Sequence, residues 1–311
     1  MYNEAENSQK IEAMTGEFVL GISIVNYFSL DSVASLIGSL VSFTEGITTK
    51  VSIVDNSLDS ENRESEGLRR LAESSSSELF TIDVTQSPIN LGYGAGNNLA
   101  VTVLLERGAT VVWILNPDTR VRGRGANLIH DLKMSPSRIW ATSTIENDTK
   151  GHGLGTLNTL TGRGSTSSKS ALGRRTFSFE YPAGHSILFR REAWLELGGF
   201  DDRYFLFMEE ADLALRAHQL GIGMDTLSSV TVEHDQGLTT GSTPNLAAKS
   251  VTAFRESTKS RVIFFRRFYP LRLPILLCSR IAYALLVRAK GNAAGSRAVV
   301  EGMLSGIRQE N

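Results

Sequence analysis

The sequence predicts an α/β protein built on a mostly parallel sheet with helices on both faces. Strand-length apolar runs alternate with helix-spaced ones from residue 18 onward. The run Thr110 to Leu115 is apolar throughout after its first residue, as a strand covered on both faces reads. Polar clusters follow three of the strands, where the ligands of such sheets bind.

In chain order, Phe18 to Val25 reads as a buried strand. Asp31 to Phe43 carries helical spacing at Val33, Leu36, Ile37 and Leu40. Val51 to Val54 is the second strand, Leu68 to Leu79 a helix weakened by Ser74–Ser77, and Phe80 to Val84 the third strand. Asn97 to Arg107 is a helix stopped by Gly108, and Thr110 to Leu115 the fourth strand. Lys150 to Arg175, rich in Gly, Ser, Thr and basic residues, reads as a long mobile loop. Ser186 to Phe189 is a strand, Arg191 to Leu197 a helix broken by Gly198-Gly199, Glu209 to Leu220 a helix, and Val230 to Val232 a short strand.

The 311 residues, 41% apolar, suffice for a sizeable core. A near-zero net charge hides an asymmetry. Residues 249–290 hold ten Lys/Arg against one acid, Glu256, while residues 1–248 balance to −10. A single cysteine, Cys278, excludes an intramolecular disulfide and a thiolate zinc cluster. Residues 1–16 form a polar tail without the apolar run of a signal peptide, so a cytoplasmic location is expected. No uninterrupted apolar stretch reaches the roughly 18–20 residues of a membrane span. An acidic body without a nucleic-acid-binding motif argues against a nucleic-acid partner.

Three strand ends bear polar residues suited to chemistry: Asn26-Tyr27, Asp55-Asn56 and Asn116-Pro117-Asp118. A carboxylate after the second strand can accept hydrogen bonds from a base or ribose. One after the fourth can hold a hard divalent cation beside a diphosphate. The same residues also make ordinary turns. Asn90-Leu-Gly-Tyr-Gly-Ala-Gly-Asn-Asn98 opens a helix, with glycines that permit close backbone approach. Its spacing and position do not match a dinucleotide loop.

Together with Ala183-Gly-His-Ser-Ile-Leu-Phe-Arg-Arg191, Gly198-Gly-Phe-Asp201 and Phe207-Met-Glu-Glu-Ala-Asp-Leu213, these segments resemble glycosyltransferase family 2 over roughly residues 18–268. These are inverting enzymes of GT-A fold with a Rossmann-like sheet. The nearest resemblance is to bacterial rhamnosyltransferases acting on polyprenyl-linked acceptors. It implies a nucleotide-sugar-binding half over 17–122, an acceptor and catalytic half over 123–244, and a basic helical C-terminal segment over 245–311.

The resemblance also implies roles. Asn26, Tyr27, Asp55 and Asn56 would line the nucleotide pocket. Asn90, Gly92 and Gly94 would floor it, with Asn97 and Asn98 beside them or capping the helix. The family's Asp-x-Asp metal motif is here Asn116-Pro-Asp118, leaving Asp118 as its carboxylate. His234 would be a second ligand to Mg2+ or Mn2+. Glu210 stands where the family carries its general base, flanked by Glu209 and Asp212. Gly184, His185 and Ser186 would contact donor or acceptor, though His185 could equally be a satisfied histidine under the sheet.

The implied function is transfer of a sugar, L-rhamnose from dTDP-L-rhamnose being the nearest guess, to a lipid-linked saccharide in cell-wall or surface polysaccharide synthesis. The basic segment, with Arg261, Arg266, Arg267, Arg272, Arg280 and Arg288 among Ile263, Phe264, Phe265 and Phe268, suits an anionic membrane surface on the inner face of the cell membrane. A helix packed on the core with a solvated basic face is the alternative. The oligomeric state stays open, a homodimer being one option. Two other functions compete: a nucleotidyltransferase, which should carry a Gly-rich basic loop after the first strand where Asn26-Tyr-Phe-Ser29 stands, and a catalytically weak homologue that scaffolds an assembly complex.

Overall fold

The computed structural model describes residues 18–146, 149–167, 174–234 and 245–309. The expected tail over 1–16 lies outside them. The first half alternates as predicted: β1 (Leu20–Asn26), α1 (Leu30–Phe43), β2 (Thr49–Asp55), α2 (Arg63–Ser75), β3 (Phe80–Gln86), α3 (Gly92–Glu106) and β4 (Val111–Leu115). There follow β5 (Thr119–Arg122), α4 (Gly125–Met134), β6 (Ile139–Glu146), β7 (Thr149–Gly151), β8 (Leu154–Asn158), β9 (Gly164–Ser167), β10 (Arg174–Arg175), β11 (Ser178–Pro182) and β12 (Ser186–Arg190). Then come α5 (Arg191–Leu197), α6 (Glu209–Gln219) and β13 (Met224–His234). The chain closes with α7 (Val251–Phe268), a 3-10 turn (Pro270–Arg272), α8 (Leu273–Ala289) and α9 (Ala293–Arg308).

The main sheet has the order β3-β2-β1-β4-β12-β6-β13-β5, with β7 on β6. Strands β3, β2, β1, β4, β6 and β13 run one way, and β12, β5 and β7 run against them. Strand β4 shows why its sequence is apolar without alternation. Val111, Trp113 and Leu115 enter the core cluster that holds Leu36 and Leu40 of α1. Val112 and Ile114 enter the cluster that holds Leu104 of α3, Trp194 of α5 and Leu213 of α6. Each face of the strand is thus a core face.

Three expectations change. Residues 150–175 do not form one long loop. Leu154–Asn158 pairs with Gly164–Ser167 on one side and with β11 on the other, in a four-stranded antiparallel sheet of order β10-β11-β8-β9. Leu154, Leu157 and Phe179 are its buried large apolar side chains among the described residues, too sparse among Gly, Ser and Thr to show a pattern in sequence. Helices α2 and α3 start earlier than expected, at Arg63 and Gly92, because their first turns are charged or glycine-rich and carry no apolar period. Strand β13 spans eleven residues instead of three, with a register shift between Leu227 and Thr231 that interrupts its alternation.

The C-terminal segment is helical, but α7 is not its membrane face. Phe264 and Phe265 are fully buried and Ile263 nearly so, in a cluster with Tyr204 and Leu215. The cations of α7 also turn inward. Arg261 donates to Gly162 O and Ser257 O, Arg266 to Gly306 O, and Arg267 to Asp201 and Asp212. The exposed apolar surface belongs to α8, where Pro274, Ile275, Cys278, Ile281, Ala282 and Leu285 follow helical spacing. Pro270–Ala289 has a mean hydropathy of 1.5 with 17% of the span buried, and by length and composition it could cross a membrane. Interruption by Arg272, Arg280 and Arg288 conceals this when only unbroken apolar runs are sought.

Candidate active site

Four strand ends meet beyond β4. Asn116 donates its N–H to His185 O at 3.1 Å, and Thr119 Oγ1 donates to Asn116 O at 2.7 Å, which fixes the turn carrying Asp118. Strand β5 returns antiparallel to β13, setting Thr119 opposite His234. Glu233 of β13 lies opposite Ile145, so Glu146 at the end of β6 comes alongside. Ser186 at the start of β12 lies opposite Leu115, bringing the preceding His185 to the same place.

The result is a cluster of Asp118, Glu146, His185 and His234. His234 Nδ1 lies 2.9 Å from Glu146 Oε1, and its Nε2 lies 3.5 Å from Asp118 Oδ1. The two imidazoles stack with centroids 4.5 Å apart. His185 Nε2 meets Thr144 Oγ1 at 2.9 Å. Ligand atoms of Glu146, His185 and His234 all lie within 4.8 Å of one another. Burial opposes the charge on His234, but the Asp118 and Glu146 carboxylates outweigh it and raise its pKa to about 9. Burial, with His234⁺ beside it, lowers His185 to about 3.

Asp118 Oδ1 is buried and accepts no hydrogen bond. A buried carboxylate oxygen 3.5 Å from His234 Nε2, beside the group of Glu146, His185 and His234, fits a divalent cation. Glu146 was not singled out in the sequence. The rule that flagged Asp55 and Asp118, a polar residue at a strand's carboxyl end, applies to it equally. His185 joins this cluster, beyond the contact role expected of it.

The acids of α6 lie on the other side of the Ala183–Ser186 turn. Phe207 and Met208 both have positive φ, at 69° and 75°, a strained pair that aims the first turn of α6 inward. Glu209 is buried against Gly94, and a Cβ on Gly184 would lie 2.7 Å from Glu210 Oε1. Burial raises the pKa of both carboxyls, that of Glu209 further through Glu210. Glu209 Oε2 and Glu210 Oε2 accept no hydrogen bond. The Tyr93 hydroxyl donates to Gly184 O, and Tyr181 and Arg261 complete the surroundings of Glu210. Tyr93 lies in the glycine-rich segment 90–98 and Arg261 in the basic segment, but the sequence assigned neither this place, and Tyr181 belongs to no motif.

Asp212 is different. It is fully buried and takes Arg216 Nε at 2.6 Å, Arg267 at 2.8 Å and the Tyr204 hydroxyl at 3.1 Å. Both of its oxygens are committed to protein partners, which makes it a hub between α6 and α7.

Several expected donor contacts are likewise committed to protein. Asp55 is fully buried and accepts from Asn26 Nδ2, Ser57 N and Ser65 Oγ. Asn26 also holds Ser29 through its Oδ1. Asn56 Nδ2 donates to Gly92 O, and Ser186 Oγ accepts from Trp113 Nε1. Gly92, at φ +78°, packs against Phe205 and Gly94 against Phe200 and Glu209, so their close approach is to protein. Asn90 Oδ1 accepts from Gly92 N at the start of α3. Asn97 accepts from Ser23 Oγ, and Asn98, rather than capping the helix, ties it to Phe200 and Asp202. Tyr27 alone of the first two clusters is exposed, edge-on to Phe28. Beside it, Ser57, Leu58, Asp59, Ser60, Gln86, Ser87 and Pro88 line an open cleft of about 410 Å³ at the ends of β2 and β3.

A sheet of this topology, with helices on both faces and polar side chains gathered beyond β4, has the GT-A fold. The structure superposes on the mannosyltransferase PcManGT from Pyrobaculum calidifontis, solved with GDP-Man and Mn2+, with a TM-score of 0.53 at 11% identity, covering 94% of this chain and 88% of that one. TarS 1-349 of S. aureus with UDP-GlcNAc gives 0.52 at 14% identity, covering 92% and 82%. GalNAc-T7 with UDP, GalNAc and Mn2+ gives 0.53 at 14%, covering 81% and 52%. In sequence, 76 residues are 37% identical to N-acetylglucosaminyl-diphospho-decaprenol L-rhamnosyltransferase of Mycobacterium tuberculosis. That match spans 24% of this chain and 24% of the relative. No family model matches the chain. The likenesses bear out the resemblance to family 2 glycosyltransferases of GT-A fold.

Proposed function

We propose that this chain is an inverting glycosyltransferase that moves a sugar, L-rhamnose from dTDP-L-rhamnose in the most specific form of the reading, to a saccharide carried on a polyprenyl diphosphate. The observation that carries it is the single turn Ala183–Ser186. His185 belongs to the carboxylate–histidine cluster, and Gly184, the preceding residue, abuts Glu210. A leaving-group site and a base therefore flank one stretch of backbone.

Asp118, Glu146, His185 and His234 would hold Mn2+ or Mg2+, which would offset the charge of the departing nucleoside diphosphate. Glu210 Oε2 is free to accept the acceptor's hydroxyl proton, and burial raises its pKa toward the range of a working base. The acceptor oxygen attacks the anomeric carbon as the bond to the diphosphate oxygen breaks, and the configuration inverts. Glu209 and Glu210, side by side in the interior, disfavour a double negative charge, so the pair suits the holding of one proton.

The α8 face supports a lipid-surface location. Its outward residues are apolar from Leu271 to Leu285, and Arg288 and Lys290 follow at its end. Arg280, midway along it, turns toward the Tyr283 ring. That arrangement suits a helix lying in the headgroup boundary of an anionic inner membrane surface better than one crossing it.

The test is transfer from radiolabelled dTDP-rhamnose to N-acetylglucosaminyl-diphosphoryl-polyprenol, with Mn2+ and vesicles present. Transfer by the wild type and its loss in Glu210→Gln, with nucleotide binding kept, are expected. If no sugar nucleotide stabilises or is turned over by the wild type, the reading is wrong and the scaffolding alternative takes its place.

A further inference from the structure

Lys249, Arg261 and Arg280 converge where α7, α8 and the small sheet meet. Arg261 Nε donates to Gly162 O at 2.8 Å, and Ser279 Oγ donates to the adjacent Thr161 O at 2.8 Å. One turn of the small sheet thus anchors both helices and brings Arg280, next after Ser279, beside Arg261. Lys249 Nζ lies 5.2 Å from the Phe254 ring centroid and the Arg280 guanidinium 5.1 Å from that of Tyr283. Those two rings are 6.1 Å apart.

Among the described residues, no carboxylate comes within ion-pair distance of any of the three. Glu256, the acid in this stretch of sequence, pairs with Arg255 instead. Lys249, Arg261 and Arg280 are all partly buried. Among the described residues these three cations share no ion-pair partner, so a bound anion would offset the cost of holding them together. Burial, then Arg261 and Arg280, bring Lys249 down to about 8, and burial, then Arg261, brings Arg280 to about 10.

Two neighbours define what the anion is attached to. Glu210 lies on one side, near enough for its charge to be felt at Arg261. On the other side is the apolar outer face of α8, the helix that carries Arg280. A ligand reaching across would have a hydroxyl at one end, a phosphate in the middle and a hydrocarbon at the other.

We propose that Lys249, Arg261 and Arg280 bind the phosphate or diphosphate group of the lipid-linked acceptor, which sets the acceptor sugar against Glu210 and the lipid along α8. This rests on the transferase reading above. Positive charge and N–H donors suit phosphate oxygens, and the two rings hold Lys249 and Arg280 in place before the ligand arrives. The nucleotide's own diphosphate has a separate place, the cluster around Asp118.

The experiment uses the full chain with phosphatidylcholine vesicles carrying either a polyprenyl diphosphate or phosphatidylglycerol at matched charge. Wild type is expected to bind the diphosphate vesicles more tightly. Lys249→Gln and Arg280→Gln should each lose on the order of tenfold of that affinity, and Arg280→Lys should keep most of it. Binding to phosphatidylglycerol should change little. Unchanged binding of the Gln variants to the diphosphate vesicles would overturn the proposal. So would an equal loss on both vesicle types, which would assign the cluster to headgroups in general. Thermal shift with dTDP and Mn2+ is run in parallel. If that shift is intact while the vesicle result fails, this inference alone falls. If the wild type shows no such shift, the transferase reading fails with it.

Discussion

His234 and His185 stack with their ring planes 14° apart, and His234 bridges the carboxylates of Asp118 and Glu146. Two imidazoles in contact cannot both carry a proton comfortably. The structure resolves the conflict by giving the proton to His234, which both carboxylates face, and keeping His185 neutral. A divalent cation held by these side chains would take the place of that proton. Asp118→Ala should therefore abolish the stabilisation of the protein by Mn2+ plus nucleoside diphosphate, read as the loss of the thermal shift. Thr144→Val, which removes the hydroxyl that orients His185, should weaken Mn2+ by about 10–100-fold, as loss of an outer partner does.

Glu209 and Glu210 make a pH-dependent stability prediction. Burial raises the pKa of both above the unfolded value of roughly 4.3. A carboxyl raised in the folded state favours folding while it is protonated. Its contribution is fully present below the unfolded pKa and is lost as pH rises through the folded one. Glu209→Gln, which stays neutral, should raise the melting temperature at about pH 7 and have little effect near pH 4. Thermal melts of both proteins across that range check it. A variant less stable than wild type at neutral pH would mean that the carboxylate form is held by the fold.

Asp212 tests the separation of structural from catalytic acids. Asp212→Ala leaves Arg216 and Arg267 without their shared buried partner and should cost about 3–5 kcal/mol by denaturant unfolding. Glu210→Gln, by contrast, should cost little stability and most of the activity. If Asp212→Ala were as stable as wild type and inactive, the assignments of the two acids would have to be exchanged.

How far the sequence reaches can be seen strand by strand. The parallel half was legible because its strands are apolar and its helices periodic. The small sheet was not, because Leu154, Leu157 and Phe179 are its few buried markers in a Gly/Ser/Thr-rich text. In the site, Asp118, Glu210 and His234 were legible through the family resemblance and their places at element ends. Asp55 and Asn26 were legible as polar strand ends, but their hydrogen bonds to each other and to Ser57 turn them into a brace. Glu146, Tyr93 and Arg261 reach the site only through pairings 88, 91 and 99 residues apart, as with Glu146 and His234, Tyr93 and Gly184, and Arg261 and Gly162. No local pattern encodes such pairings. The basic segment was legible as charge but not as orientation, since only packing decides which helix presents its apolar side outward.

That orientation yields the last prediction. Ile281 and Leu285 stand on the exposed side of α8, away from Leu276, Ala284 and Val287, which face the protein. Replacing both with Glu removes apolar surface and adds repulsion toward anionic headgroups, while leaving the inward contacts untouched. The Ile281→Glu/Leu285→Glu protein should float free of phosphatidylglycerol-containing vesicles in a flotation assay and keep a melting temperature close to that of wild type. Transfer to a short-chain, water-soluble acceptor should survive, and transfer to a bilayer-embedded one should fall. If the double variant binds vesicles as before, α8 faces something other than lipid. A change in sedimentation toward a smaller species would then identify that face as the contact between two copies of the chain.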